Sequence, residues 1–545
     1  MNAPETRLYR ATLPAEFSQC FEAQRAAYLA DPEPSYDQRR KDLDALARLI
    51  KDNRERLVEA ICKDYGNRSE FETLFAEYFV VLETIHDARK NLKKWMRPQR
   101  RRIDFMMFPG ARNRVIPQAL GVVGVIVPWN FPLNLSFCPL AAIFAAGNRA
   151  MVKMSENSRH LAALLIELSP KYFAADKLQF FEDGGGRGPA FSSLPFDHLI
   201  FTGSGTTGRA VMANAAQNLT PVTLELGGKS PAIVGPDFPI KTAAERIMWV
   251  KMFNAGQICT NIDYLFLPEG KVAEFVEHAR RLIAQRFPDL NAPDFTSIID
   301  ERAYARLQHA LDDARAKGAQ LINLAEGQQP DARQRKLAPH LVLNVSEDME
   351  LVQREIFGPI LPVRTYRSAQ EVADYINSRD RPLAIYPFTH DRRLQQFYIR
   401  HVMSGGVGVN EALPLWRPRP PDKTARRNGH VEPSKPAARR PALRGLNHRL
   451  CAGRAAARRR GRRRHRRGGR GDDLDRPAQL FLREGYRRQQ RLHRRRPAQR
   501  SRRFGRHAGN PEPARRHQRD DPGRRQAFGR LRGPGPRRRA AAVSR

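Results

Sequence analysis

Long apolar runs are missing from this chain of 545 residues, and cysteine is rare in it. No stretch of about eighteen uncharged apolar residues occurs, so a membrane-spanning helix is not expected. The N-terminus, MNAPETRLYR, has no apolar core of the kind a secretory leader needs. These absences predict a cytoplasmic protein. The five cysteines, Cys20, Cys62, Cys138, Cys259 and Cys451, are odd in number and irregular in spacing. That pattern excludes a disulfide framework and gives no metal site. Cys62 in LVEAICKDY and Cys138 in LSFCPLAA read as core thiols. A G-x-G-x-x-G segment after a first strand is missing too, so a dinucleotide site has to rest on other residues.

Acidic residues are in short supply at one end only. The formal net charge is +38, but residues 411–545 hold 43 Lys and Arg against 10 Asp and Glu, while residues 1–410 hold 52 against 47. The first part therefore has the balance of an ordinary enzyme, with length for two domains.

Along that first part, Ser35 with Gln38 has the form of a capping box. Leu43, Leu46, Leu49, Ile50, Leu57 and Ile61 then recur at helical spacing, predicting one long amphipathic helix. FETLFAEYFVVLETIHDARKNLKKW predicts another, ending in the basic run RPQRRR, read as a solvated helix end. From residue 119 strands and helices alternate: ALGVVGVIV, LNLSFCPLAAIFAAGN, AMVKM, HLAALLIELSPKYF, HLIFTGS and TTGRAVMANAA. Alternation of this length predicts an α/β fold with parallel sheets covered on both faces. PVTLELGGKSPAIV opens a second unit, continuing through KVAEFVEHARRLIAQRF and LVLNVSEDMELVQREIFGPILPV.

Chemistry concentrates in two segments. VTLELGGKSP carries Glu225 and FNAGQICTN carries Cys259, a carboxylate at a strand end and a thiol in a Gly-containing loop. A nucleophile and a base are the two groups needed to oxidise an aldehyde through a covalent intermediate. Taken singly, each segment also has a plainer reading. GQIC can hold a core cysteine, Glu225 can be a capping or ion-paired carboxylate, and Asn130 in PWNFP can shape a turn. Equally, FTGSGTTG can be a simple strand-to-helix turn.

PWNFP, VKMSE, FTGS, LELGGKSP, FNAGQIC and EIFGPILPV, in this order and spacing, resemble the NAD(P)-dependent aldehyde dehydrogenase superfamily over about residues 20–410. The stretches LGVVGVIVPWNFPL and SLPFDHLIFTGS are most similar to its coniferyl aldehyde dehydrogenase branch. The resemblance implies a Rossmann-type cofactor domain with N-terminal helices over 1–225, an oligomerisation hairpin near 105–120, and an α/β catalytic domain over 226–410. It implies oxidation of an aromatic aldehyde such as coniferaldehyde, or of a medium- or long-chain aliphatic one, to the acid through a Cys259 thiohemiacetal and thioester. Asn130 would hold the oxyanion and Glu225 would activate the hydrolytic water. The setting of Glu225 between Leu224 and Leu226 is expected to raise its pKa. A base for hydrolysis disfavours a CoA-acylating enzyme.

For the cofactor, the resemblance implies Trp129, and Lys153 and Glu156 at the adenosine ribose; Gly203, Ser204 and Gly208, between a strand and a helix, are suited to a pyrophosphate. Glu355 and Phe357 would hold the nicotinamide half. Glu156 would accept from ribose hydroxyls and repel a 2′-phosphate, so NAD is favoured over NADP. The sequence departs from the pattern at Met154, where proline is usual and turn rigidity should be lost. It also departs in CTNIDY after the nucleophile, and at Pro189 in DGGGRGPAF.

From about residue 411 the resemblance stops. Of the 43 basic residues there only Lys423 and Lys435 are lysine, although phosphate attraction accepts lysine as readily as arginine. Arginine with Pro, Gly and Ala is what out-of-frame reading of GC-rich DNA produces. Codons CCC CTT TGG CGG CCG CGG CCC for Pro414–Pro420, shifted by one nucleotide, read Pro-Phe-Gly-Gly-Arg-Gly, similar to the family's Pro-Phe-Gly-Gly-x-Gly segment. A frame lost between Asn410 and Pro414 is the hypothesis, and an intact frame on resequencing those codons would exclude it. Such a tail is expected to be disordered, to leave a sheet edge exposed, to lower solubility, and to compromise the homodimer and the activity of this chain. The competing reading is a nucleic-acid-binding protein using the Arg-rich tail, whose non-specific binding its charge would favour.

Overall fold

The computed structural model describes residues 14–104 and 106–412. The Arg-rich tail, and every expectation about it beyond Ala412, lies outside the described residues. An antiparallel hairpin joins β1 (Gln99–Arg101) to β2 (Asn113–Val115). A wholly parallel sheet follows, built from β3 (Val122–Ile126), β4 (Arg149–Lys153), β5 (Leu178–Phe181), β6 (His198–Gly203) and β7 (Val222–Leu226) in the order β5-β4-β3-β6-β7. The remaining strands are β8 (Ser230–Val234), β9 (Ile262–Pro268), β10 (Gln320–Asn323), β11 (His340–Leu343), β12 (Ile360–Tyr366), β13 (Ala384–Phe388) and β14 (Gly406–Val407). They form a second sheet in the order β10-β11-β12-β9-β8-β13-β14, parallel except for β10 against β11.

The expected α/β class is what the chain adopts, because strands such as VVGVI and SPAIV are buried along their whole length and need helices on both faces. Helices at Tyr36–Asp52, Arg54–Tyr65 and Val80–Trp95 share one apolar core with β3, β4 and β5. A larger core unites β8, β9, β11 and β12 with the helices Ile240–Met252, Val272–Arg286 and Glu301–Ala316. Among the described residues no helix is long and apolar enough to cross a membrane.

Several local expectations are corrected. The long helix after Ser35 is two helices separated at Asn53, whose side-chain amide donates to Leu49 O at 2.9 Å and to Tyr172 Oη at 3.0 Å. Only half of the capping box forms: Ser35 Oγ accepts from Gln38 N at 3.2 Å, while the Gln38 amide donates to Asp42 instead. The hairpin begins earlier than residue 105, because Pro98 ends the helical run and the basic segment Gln99–Arg101 pairs as a strand. Cys62 and Cys138 are half-buried rather than fully enclosed.

Candidate active site

The C-terminal ends of the first sheet face the starts of strands in the second. The chain leaves β3 into Pro128–Phe131, β4 into Met154–Ser158, β6 into the helix Gly205–Ala216, and β7 into Gly227–Gly228. Strand order reverses between β3 and β6, which is where an open parallel sheet offers a crevice to a ligand. On the other side, Cys259 immediately precedes β9 and Glu355–Gly358 immediately precede β12. Topology alone therefore gathers all six sequence segments.

Cys259 is half-buried at the end of a strained turn. Asn254 and Ala255 take φ of 52° and 49° inside Phe253–Gly256, and Gly256 follows at 78°. Such left-handed backbone costs a non-glycine residue about 1 kcal/mol or more and persists only where surroundings enforce it. Here they do. Asn254 Nδ2 donates to Gln257 O at 3.0 Å, and Gln257 Nε2 returns bonds to Asn254 O and Ser297 O, each at 3.0 Å. Asn261 Nδ2 donates to Gly256 O at 2.7 Å. A Cβ at Gly256 would collide with the Gly358 carbonyl, so the turn before Cys259 and the Glu355–Gly358 loop pack backbone to backbone. In place of the usual residues after the nucleophile, CTNIDY thus supplies a brace.

Two carboxylates act on the thiol. Burial, then the charges of Glu355 and Glu225, push the Cys259 pKa up to about 12. Loss of hydration pushes Glu225 above the usual carboxylate range. Its cause differs from the expected one. Alternation along β7 leaves Thr223 and Glu225 exposed to solvent, with Leu224 and Leu226 half-buried on the opposite face against the first sheet's core. Glu225 is thus a cleft residue thinly hydrated by surrounding protein rather than a carboxylate enclosed by those leucines. Glu355, half-buried, accepts from Gly228 N at 3.2 Å, and burial with the nearby Asp263 charge raises its pKa to about 8. A Cβ on Gly227 would strike the Glu355 carboxylate, which explains the glycine pair after β7. Asn130 is 3% exposed, and its Nδ2 donates to Gln257 O at 3.4 Å, next to the turn before Cys259.

The remaining candidates line the crevice. Trp129 meets the Phe357 ring edge-on at 5.5 Å, and Phe357 takes φ of 53° to point there. Ser204 caps the helix Gly205–Ala216, accepting from Thr207 N at 3.2 Å. Gly203 and Gly208 are required by packing, since a Cβ would meet Phe201 at 2.6 Å and Leu226 at 2.9 Å respectively. The free backbone N–H groups of that helix start, the Glu156 carboxylate exposed after β4, and the Glu355 carboxylate suit a dinucleotide's pyrophosphate and two riboses. Lys153 has its own partners at the end of β4. It is 4% exposed, ion-paired with Asp183, and donates to Met154 O at 3.2 Å. Burial alone would raise the Asp183 pKa, but the hydrogen bond and charge of Lys153 outweigh it and the net shift is downward.

Met154 does not loosen its turn. Its N–H donates to Phe181 O at 2.8 Å, a bond proline could not make, and its side chain is fully buried. Pro189 sits in the first turn of the helix Arg187–Ser192, where a missing N–H is harmless. Sequence reasoning missed Tyr65, Glu72 and Asn254 behind the site, and the guanidinium of Arg306, which donates to Ile356 O at 2.7 Å beside the Glu355 loop. It also missed an aromatic cluster in which Phe131, Phe253 and Ile258 pack with Phe75 and Trp249. Only the density of aromatics in FETLFAEYF and MWVKMF hinted at that cluster.

Comparison with known proteins agrees with this geometry. Residues 7–419 match the model of the aldehyde dehydrogenase family. A probable coniferyl aldehyde dehydrogenase of Pseudomonas aeruginosa is 49% identical over 395 residues, covering 72% of this chain and 82% of its own length. The coniferyl aldehyde dehydrogenase of Pseudomonas sp. strain HR199 is 44% identical over 392 residues, 71% of this chain and 81% of its own. A substrate-bound structure of Staphylococcus aureus AldH superimposes with a TM-score of 0.69 at 32% identity, covering 73% of this chain and 85% of that one. The chain belongs to the aldehyde dehydrogenase family, whose members oxidise aldehydes to acids with a nicotinamide dinucleotide.

Proposed function

We propose that the site oxidises an aromatic aldehyde of the coniferaldehyde type with NAD. The observation that carries the substrate class is an aromatic cluster that reaches Ile258, the residue before Cys259. Phe75 meets Trp249 edge-on at 5.9 Å and Phe253 at 6.0 Å, and Trp249 lies 5.3 Å from Phe253. With Phe131 and Ile258 these rings form one buried apolar cluster, and Ile258 is the residue before Cys259; a conjugated ring packed against such a cluster gains about 0.5–1.5 kcal/mol from each edge-to-face contact beyond its area. The relatives named for coniferyl aldehyde support the same choice.

In the reaction, Glu225 takes the Cys259 proton, and its raised pKa makes it a competent base for a thiol held neutral chiefly by burial, with the charges of Glu355 and Glu225 adding to it. The sulfur bonds to the aldehyde carbon, and the carbonyl oxygen gains negative charge. The Asn130 amide and the Cys259 backbone N–H stabilise that charge. NAD, held by Glu355 and Phe357, would supply the acceptor for the hydride that this carbon loses. A thioester remains on Cys259. Glu225, exposed to solvent, first gives up the Cys259 proton to it and then deprotonates the water that attacks the thioester carbon, and the carbon–sulfur bond breaks to return the Cys259 thiol. Glu355 and Phe357 position the nicotinamide half, while Trp129, Gly203, Ser204 and Gly208 line the path of the rest. Glu156 selects NAD, since its carboxylate repels a 2′-phosphate. Lys153 acts through Asp183 to shape the turn that presents Glu156. We assign subunit pairing to the β1–β2 hairpin, whose exposed Met106, Met107, Phe108, Val115 and Ile116 are the kind of surface a homodimer covers. The nucleic-acid alternative rests on residues beyond 412 and gains no support from the family match.

Full-length protein with coniferaldehyde and NAD is expected to form one acid per NADH, and at least about tenfold more slowly with NADP, equivalent to about 1.4 kcal/mol of charge repulsion. Stoichiometry, not absolute rate, is the readout. No NADH from coniferaldehyde or from medium-chain aldehydes would overturn the assignment.

A further inference from the structure

Three segments distant in sequence meet behind Asn130 and Cys259, and the groups joining them are buried. Tyr65, the last residue of the helix Arg54–Tyr65, is fully enclosed, as are Asn254 and Gln257. Tyr65 Oη donates to the Asn130 carbonyl at 3.0 Å. Asn254 Nδ2 lies 3.2 Å from Tyr65 Oη and 3.3 Å from Asn130 O, besides its bond to Gln257 O. Asn130 Nδ2 in turn donates to that same Gln257 carbonyl. The backbone of the amide-bearing loop and the turn leading to the nucleophile therefore share one small hydrogen-bonded cluster. A carboxylate anchors it from outside: Glu72 accepts from the Asn254 backbone N–H and, at 2.6 Å, from Thr296 Oγ1.

These contacts do more than fill space. Asn254 adopts its left-handed conformation with its amide committed to carbonyls of both loops. A phenylalanine at position 65 would fill the same volume and leave the Asn130 carbonyl without its hydroxyl donor. We propose that Tyr65 and Asn254 form a clasp that sets the distance between the Asn130 amide and the Cys259 sulfur, making both positioning residues for the attack on the carbonyl. The inference rests on the roles assigned above to Asn130 and Cys259.

An oxyanion donor counts only when it sits within hydrogen-bonding reach of the position the oxygen takes in the transition state. Displacement of about 1 Å costs on the order of a hundredfold. Alkylation of the same thiol by iodoacetamide has no oxyanion, so the clasp should not affect it.

The test compares two reactions of Cys259 in the full chain, wild type against Tyr65→Phe. With p-nitrophenyl acetate the sulfur bonds to the ester carbon, the carbon–oxygen bond breaks, and p-nitrophenolate leaves, so one acyl group appears on Cys259 per nitrophenolate. Iodoacetamide labelling of Cys259 is followed by mass spectrometry. Tyr65→Phe is expected to slow acylation by about 10- to 100-fold while alkylation stays within about twofold. Asn254→Gly, which tolerates the positive φ but lacks the amide, is expected to show the same split. Equal acylation in wild type and both variants overturns the clasp and leaves the proposed function standing. A parallel loss of acylation and alkylation also overturns it, because the effect would then be general loosening. If wild-type Cys259 is alkylated but never acylated, the proposed function itself fails and the clasp falls with it.

Discussion

Replacing Cys259 by serine is expected to remove NADH formation, and replacing Glu225 by glutamine is expected to leave a single turnover followed by a stall. The two outcomes differ because the residues act at different bonds. A hydroxyl at position 259 is a far weaker nucleophile at neutral pH than a thiol with a base beside it. With no covalent adduct there is no carbon from which hydride can leave. Glutamine at position 225 keeps the shape but cannot accept a proton. The thiol can still lose its proton slowly to solvent, so one NADH per site should accumulate. The thioester then waits for unassisted hydrolysis, and kcat should fall by about 10²- to 10⁴-fold, the range general bases supply. The acid limb of the wild-type kcat profile should also lie above the usual carboxylate range. Glu225 has its pKa raised by lost hydration, so it holds its proton to higher pH and becomes a base only as pH rises through that value. Steady NADH production by Glu225→Gln, with no burst, would assign the base to another residue. Glu355, whose pKa is near 8, would be the first to examine.

The second large effect is on stability. Arg68 and Glu77 form an ion pair at 2.7 Å with neither side chain exposed. The guanidinium lies 4.9 Å from the rings of both Tyr65 and Phe131 and makes no aligned hydrogen bond of its own. Glu77 is better served, accepting from Leu133 N at 2.7 Å and Asn134 N at 3.2 Å at the start of the helix Pro132–Ala145. It reaches them from a π-helical turn, Leu74–Phe79, inserted between helical segments. Removing one member of such a pair strands a buried charge, and the loss is typically about 3–5 kcal/mol. Arg68→Met and Glu77→Gln are each expected to destabilise the protein by that amount in urea unfolding. The double variant should recover part of the loss, since the stranded charge is gone. Single variants that lose less than about 1 kcal/mol would show that water or another group already compensates the pair. Because Glu77 holds the first turn after Asn130, both single variants should also slow aldehyde oxidation.

Much of this site was legible from residue order. Cys259, Glu225, Asn130, Glu355 and Phe357 lie in segments whose composition states their chemistry, and the crevice brings them together because each segment directly follows or precedes a strand. Strand identity was legible as well, since fully buried parallel strands read as unbroken apolar runs. Surroundings were harder. The ion pair of Lys153 was not legible, because its partner Asp183 lies in a glycine-rich turn with two positive-φ glycines, Gly185 and Gly186. Met154 looked like a loss of rigidity until the strand beside it supplied an acceptor.

Sequence by itself determined the family, the alternation of strands and helices and which segments carry Cys259 and Glu225, because each is written in contiguous residues with a local period or a local chemistry. Tertiary structure decided which face of β7 carries Glu225, that burial and the charges of two carboxylates suppress the Cys259 thiolate, and that Tyr65, Asn130 and Asn254 share one buried cluster. That cluster depends on distances between residues 65 to 189 positions apart in the chain, and no local pattern encodes such a distance. It is set by how two sheets and a layer of helices pack.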